Sequence, residues 1–254
     1  MLKALLQQFW PSAGKREYAL PAGVRVYAIG DIHGRLDKLR DMETQIAAHL
    51  AAHGAAPETF VVLLGDYVDR GPESRSVIDH LLGGNFAGLP TRRLLGNHEA
   101  ALLTFLDDPS IGPAWLAYGG MATLASYGVS LPSVPVDDRM EYLRQALIAQ
   151  LPPAHLEFLQ SLELTVQVGD YLFVHAGVRP GRTLEQQSRS DLLEIREPFL
   201  GHRRPLPWRV VHGHTVSDAA EVLPSRIGLD TGAYASGRLT AAVIEGASVE
   251  ILVA

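Results

Sequence analysis

Cysteine is absent from all 254 residues. That excludes disulfide bridges, thiolate catalysis and cysteine-based zinc sites. It also fits a reducing cytoplasm, the expected location. Net positive charge is absent too: 22 Lys and Arg stand against 28 Asp and Glu, a formal charge of −6 at pH 7. Nucleic-acid footprints are normally basic, so no nucleic acid is expected as a partner. Long hydrophobic runs are missing as well. The N-terminal stretch MLKALLQQFW is apolar but too short to span a membrane. Two glutamines interrupt it and no small-residue cleavage site follows. It reads as an amphipathic helix packed on the domain, with docking to a partner as the alternative, and no membrane association is expected. Internal repeats and low-complexity segments are also lacking.

What is present is enough apolar material for a large core, 47% of the chain. The length allows one large α/β domain or two small ones. Residues 1–23 read as an N-terminal extension broken by Pro11, Gly14 and Pro21. VRVYAIG (Val24–Gly30) has the β-branched and aromatic content of a buried strand ended by glycine. Leu36, Leu39, Met42, Ile46 and Leu50 follow at helical spacing. FVVLL (Phe60–Leu64) and RRLL (Arg92–Leu95) read as further strands, with a helix over Ser76–Leu82 between them. This alternation predicts a largely parallel sheet. From about Ala101 to Gln160 strand signals vanish, and a helical insertion is expected. The remainder, from LTVQVG to SVEILVA, is rich in short strands and predicts a second, mixed sheet packed on the first.

Five polar clusters each follow an apolar, strand-like run: GDIHG (Gly30–Gly34), GDYVDRG (Gly65–Gly71), GNHE (Gly96–Glu99), VHAG (Val174–Gly177) and HGHT (His212–Thr215). Ligands in open α/β sheets bind at the carboxyl ends of strands, so these loops are expected to meet on one edge. Asp31, Asp66 and Asn97 offer oxygens, and His33, His175 and His214 offer imidazole nitrogens. Such a sulfur-free set suits Mn²⁺, Fe or Zn²⁺. Six ligands exceed the need of one four-coordinate ion and match two ions sharing a bridging carboxylate, for which Asp66 is the natural candidate. His49, His53, His80, His155 and His202 have no such context and are expected at the surface.

The series GDIHG, GDYVDRG, GNHE, HAG and GHT resembles the phosphoprotein phosphatase family of calcineurin-like metallophosphoesterases, with signatures running from Gly30 to Thr215. RSDLLEIREPFL, VVHGHT and IGLDTGAY are similar to segments of bacterial serine/threonine phosphatases, and HAG stands where eukaryotic relatives carry HGG. Val216 occupies the place of the second histidine in the G-H-x-H motif of many metallophosphoesterases, as in the phosphoprotein phosphatase branch. The resemblance implies an α/β sandwich of two mixed β-sheets flanked by helices. Residues 24–254 would form this domain, with a helical cap at about 101–160. It implies two divalent ions, Mn²⁺ first, with Asp31 and His33 on one, Asn97, His175 and His214 on the other, and Asp66 between them.

In the same way it implies His98 as the general acid, oriented by Asp69, and Arg70 as a clamp on phosphoryl oxygens. Glu99 is expected to be a structural loop residue. A second phosphate-binding arginine is expected among Arg179, Arg182, Arg189, Arg196, Arg203 and Arg204. Arg196 is chosen from its place in DLLEIREPFL, although Glu194 stands where close relatives often carry tryptophan. Tyr234 is expected either at the site or packed nearby. Within WLAYGGMATLASYG, Tyr118 or Trp115 is expected at the substrate entrance, against the alternative that these rings form a small core. The expected activity is hydrolysis of phosphomonoesters by metal-activated water, on phosphoserine or phosphothreonine proteins and also on phosphotyrosine. The alternatives are symmetrical hydrolysis of diadenosine tetraphosphate and, from another class, a non-catalytic metal-binding scaffold.

Overall fold

The computed structural model describes residues 17–131 and 136–254. The helix expected in MLKALLQQFW and most of the N-terminal extension therefore lie outside the described residues. The chain opens with β1 (Val24–Ile29), α1 (Leu36–His53), β2 (Glu58–Leu63), α2 (Ser74–Leu82) and β3 (Thr91–Arg93). β1, β2 and β3 are parallel neighbours. The alternation within β1 sets the layers. Val26 and Ala28 face a core shared by two sheets, whereas Tyr27 and Ile29 face a second core under the helices.

The insertion is helical: α3 (Asn97–Asp107), α4 (Gly112–Trp115), a π-helical turn (Leu116–Gly120), α5 (Met121–Ser126), α6 (Val136–Gln150) and α7 (Pro153–Gln160). Leu102, Phe105, Leu143, Leu147 and Phe158 join Leu39 and Val77 in the core on the outer face of the first sheet. Beyond it come β4 (Thr165–Val168), β5 (Tyr171–Val174), α8 (Arg189–Glu194), β6 (Arg209–His212), β7 (Glu221–Val222) and β8 (Arg226–Gly228). These strands form the second sheet in the order β4-β5-β6-β8-β7, with β5, β6 and β8 parallel. Val166, Phe173, Val211 and Ile227 meet Val62, Leu64 and Ile244 across the sandwich.

Two expectations need correction. The last strands, β9 (Thr240–Glu245) and β10 (Ser248–Val253), following the short helix α9 (Ala233–Ser236), do not belong to the second sheet. They complete the first, in the order β10-β9-β1-β2-β3. β9 pairs antiparallel with β1 and so covers an edge that would otherwise leave unpaired backbone groups beside the core. Nor are all the remaining histidines superficial. His49 is buried, with Nδ1 at 2.7 Å from the Tyr27 hydroxyl. His155 is buried between the Tyr127 hydroxyl and Asp79, each at 2.8 Å. Both lie on core-facing sides of helices, and hydrogen bonds offset their burial.

The loop after β8 lies against the loop after β1. A Cβ built on Gly30 would stand 2.3 Å from the carbonyl oxygen of Leu229. Gly30→Ala is therefore expected to force these loops apart at a cost of roughly 1–3 kcal/mol, lowering Tm by roughly 2–12 °C. Thermal unfolding of the purified variant checks this, and an unchanged Tm would mean that the two loops are not held in contact.

Candidate metal centre

The loops after parallel strands β1 and β2 carry Asp31 and Asp66, the chain after β3 brings Asn97 to the start of α3, and the loops after β5 and β6 carry His175 and His214. Two contacts lock the sheet ends together: His175 Nδ1 lies 2.8 Å from the Leu64 carbonyl, and Gly213 N–H donates to the His175 carbonyl. Backbone geometry is unusual here. Among the described residues, His33, Asp66, Asp69, Arg70, Ala87 and His214 are the non-glycine residues with positive φ, and all but Ala87 belong to these loops. Strained backbone of this kind costs about 1–3 kcal/mol per residue and persists only where its surroundings enforce it. Close approach adds to the constraint: a Cβ on Gly213 would stand 2.0 Å from Asp31 Oδ1. Without one, the backbone N–H of His214 reaches both carboxylate oxygens of Asp31, at 3.2 and 3.0 Å.

Asp66 is central and buried. Its Oδ2 lies 3.5 Å from His33 Nε2, 3.5 Å from His175 Nε2 and 3.9 Å from His98 Nε2. Asn97 Oδ1 lies 2.9 Å from His175 Nε2 and 2.8 Å from His214 Nδ1. Ligand atoms of His33, Asp66 and His98, and those of Asp66, His175 and His214, lie within 4.8 Å of one another. Both groups could hold a metal ion, and they share Asp66.

The donor chemistry fits cations. His33 and His175 each turn Nδ1 to a backbone carbonyl, Val68 and Leu64 respectively. A carbonyl only accepts, so Nδ1 carries the ring proton and Nε2 presents a lone pair. Both Nε2 atoms face Asp66 Oδ2. His33 Nε2 is buried without a hydrogen-bond partner. Burial holds the pKa of His33 down at about 3 despite the attraction of Asp66, so the ring is neutral, as a metal ligand must be. Burial, with His175 adding to it, likewise lowers His214 to about 3. Asp31 is pushed well above the ordinary carboxylate range by burial, Asp230 and Asp66.

His98 is arranged differently. Its Nδ1 lies 2.7 Å from Asp69 Oδ2, and Arg70 donates to its Nε2 at 3.1 Å. Burial alone would lower its pKa, but Asp66 and Asp69 outweigh burial and raise it. Asp69 is itself held by the insertion: Trp115 Nε1 donates to Oδ2 at 2.9 Å and the Thr123 hydroxyl to Oδ1 at 2.5 Å. The Gly119 carbonyl, turned out at a kink with φ 119°, accepts the Arg70 backbone N–H. Glu99 lies in the first turn of α3 rather than in a loop. Its carboxylate accepts the backbone N–H groups of Asp66, Tyr67, Val68 and Gly96. Burial and the charge of Asp66 push its pKa up to about 8.

A cavity of about 430 Å³ is lined by Arg70, Asn97, His98, Glu194, Arg196 and His214 together with Ala101, Ile111, Ala114, Trp115 and Tyr118 of the insertion. Arg179 and Arg182 are instead paired with Asp191, and Arg203 bonds the Leu200 carbonyl. Trp115 is only 2% exposed and packs on Phe105, whereas Tyr118 is 70% exposed on the rim. Tyr234 stacks beneath Arg70, 4.8 Å from ring centroid to guanidinium carbon, and meets His33 edge-on. The supporting roles of Trp115 and Thr123 carry no sequence signal, because the contacts span 46 and 54 residues. Asp230 had one: IGLDTG is another strand ending in a glycine-bounded polar tip.

Residues 24–241 match the description of the calcineurin-like phosphoesterase family. The chain belongs to that family. The fold and the two candidate ion sites are in keeping with that membership. A symmetrical bis(5'-nucleosyl)-tetraphosphatase of Janthinobacterium sp. (strain Marseille) is 27% identical over 259 residues, covering 85% of this chain and 91% of that one. Another, from Acidovorax sp. (strain JS42), is 32% identical over 166 residues, 63% of this chain, and the match spans about half of that protein, 47%. Serine/threonine-protein phosphatase 2 of Escherichia coli (strain K12) is 25% identical over 223 residues, 85% of this chain and 90% of that one. A crystal structure described, provisionally, as a diadenosine tetraphosphatase shares the fold with a TM-score of 0.60 at 24% identity, over 93% of this chain and 98% of that one. No described helix is long and apolar enough to cross a membrane.

His212, the other histidine of HGHT, turns away from the cluster. It is buried, its Nδ1 lies 3.0 Å from the Gly213 carbonyl, and Arg226 donates to Nε2 at 3.3 Å. Burial, with Arg226 adding to it, lowers its pKa to about 4. The unfolded chain therefore takes up a proton near pH 6.5 that the fold refuses until about pH 4. This histidine's contribution to stability is fully present above pH 6.5 and is lost as pH falls toward 4. Between pH 7 and pH 5 the loss is about 2 kcal/mol. Replacing His212 with Asn is expected to shrink the stability difference between those two pH values by that amount. Urea unfolding of both proteins at each pH checks it, and parallel pH dependences would show that His212 titrates normally.

Proposed function

We propose that this protein hydrolyses phosphoanhydride bonds of dinucleoside polyphosphates at a two-ion centre. The observation that carries this reading is the recurrence of symmetrical tetraphosphatases among its relatives, one of them matching over nearly its whole length. The cavity supports it. An apolar wall from the insertion, with the exposed ring of Tyr118 on the rim, stands beside two arginines. Such a wall offers a stacking surface for a nucleobase while the cations take the phosphates. Residues 24–254 form one catalytic domain in this reading, with 101–160 as its cap.

Asp31, His33 and Asp66 would hold one divalent ion, and Asp66, Asn97, His175 and His214 the other, with Mn²⁺ the first candidate. Bound there, the two ions would acidify a water and neutralise phosphoryl charge. The chain's own residues do the rest. Arg70 and Arg196 grip the non-bridging oxygens. His98 carries a proton on Nε2 for the departing oxygen. Asp69, accepting the Nδ1 proton, keeps that ring nitrogen turned toward the substrate. Arg70 donates to His98 Nε2 in the substrate-free arrangement. Arg70 must therefore turn to the phosphoryl group before that nitrogen can hold the proton it delivers. Symmetrical cleavage of a tetraphosphate bridge releases two nucleoside diphosphates.

A second reading, phosphoprotein phosphatase, has its own support. The E. coli serine/threonine phosphatase aligns over 85% of this chain and 90% of its own length. Side-by-side turnover with Mn²⁺ separates the two. The kcat/KM for diadenosine tetraphosphate is expected to exceed that for phosphoserine, phosphothreonine and phosphotyrosine peptides by at least about tenfold, about 1.4 kcal/mol of transition-state preference, with ADP as the sole nucleotide product. The reverse order would return the phosphoprotein reading. His98→Asn is expected to lower kcat by about 10²–10⁴-fold without loss of bound metal. The loss should be larger for an alkyl phosphate than for p-nitrophenyl phosphate. Equal losses on the two would remove His98 from the role of acid.

A further inference from the structure

Asp230, in the loop between β8 and α9, is only 1% exposed. One carboxylate oxygen, Oδ1, accepts the Gly232 backbone N–H at 2.8 Å. The other, Oδ2, is buried with no hydrogen-bond partner. A buried carboxylate oxygen left without a donor is costly, and a protein rarely keeps one unless a cation faces it. Its neighbours make the need for a cation greater. The preceding carbonyl of Leu229 packs against Gly30, which sets Asp230 beside Asp31. Asp230 and Asp66 both oppose ionisation of Asp31, and Asp66 opposes that of Asp230, against the partial attraction of Arg70. Among the described residues, no lysine or arginine forms an ion pair with Asp31 or Asp230. Asp31, Asp66 and Asp230 are all buried, and Asp230 Oδ2 and His33 Nε2 are both left without a partner.

We propose that Asp230 is a third carboxylate of the ion site formed by Asp31, His33 and Asp66, and that its charge strengthens the hold on that ion. The inference rests on the two-ion reading above and adds a residue to one half of it. Val216, the nearby position where many metallophosphoesterases have a metal-binding histidine, packs its methyl groups toward Gly232 and offers no ligand atom. Negative charge from Asp230 takes over part of what a further ligand would contribute.

Two substitutions separate this role from that of a turn residue. Asp230→Asn keeps an oxygen for the Gly232 N–H and removes only the charge. Asp230→Ala removes both. The full-length protein is stripped with a chelator and titrated with Mn²⁺ by calorimetry, and the Tm of the stripped protein is recorded. Wild type is expected to bind two ions per chain. Asp230→Asn is expected to weaken one of them by about 10–100-fold, to leave the other unchanged, and to raise the metal-free Tm by ~2–5 °C as repulsion among the carboxylates is relieved. Asp230→Ala should show the same affinity loss without the gain in Tm. Wild-type affinity for both ions in Asp230→Asn would overturn the proposal and leave the two-ion reading standing. Fewer than two ions bound by the wild type would overturn both.

Discussion

Four backbone N–H groups converge on the carboxylate of Glu99, and the rest of the site is arranged around that knot. Three of them come from successive residues after β2 and the fourth from Gly96 after β3. The knot fixes two strand ends at once and holds Asp66 in a backbone conformation that L-residues avoid. A glutamine, with an NH2 donor in place of one oxygen, could not accept from all four donors, and each orphaned buried amide would cost about 1–3 kcal/mol. Glu99 turns its oxygens to backbone N–H groups rather than to an ion site. It sets where the shared carboxylate stands, and hence where every histidine around it must point.

Asp31, His33, Asp66, Asn97, His175 and His214 could be picked from the sequence because each sits in the same local format, an apolar strand followed by a polar, glycine-flanked tip. Strand ends in such a sheet meet on one edge, so the format carries three-dimensional information. The membership of β9 and β10 was not legible, since short-range pattern identifies a strand but not the neighbour it will pair with. His49 and His155 were misplaced for a related reason. Their partners, Tyr27, Tyr127 and Asp79, are distant in sequence, and only the fold shows that a buried imidazole is satisfied there. Asp230 shared the strand-and-tip format, but its significance depends on the contact between two loops that lie 199 residues apart by number, Gly30 and Leu229.

Trp115 shows how one residue can satisfy two expectations at once. It was a candidate for the cavity wall and a candidate for a small aromatic core. Its ring packs on Phe105 while its indole N–H reaches Asp69. An apolar body with a polar edge suits that double placement. Tyr118, three residues on and within the π-helical turn, stays on the rim. The irregular turn thus presents an exposed ring directly after a residue that supports the histidine–carboxylate pair.

The insertion reaches into the site at three points: Trp115 and Thr123 on Asp69, and Gly119 on the backbone of Arg70. For protein engineering this limits modular exchange. A cap transplanted from another family member would bring a new cavity wall, yet it would also replace the supports of the histidine–carboxylate pair and of the arginine. A working chimera would need to reproduce an indole, a hydroxyl and an outward-turned carbonyl at those three points before its new wall could confer a new preference.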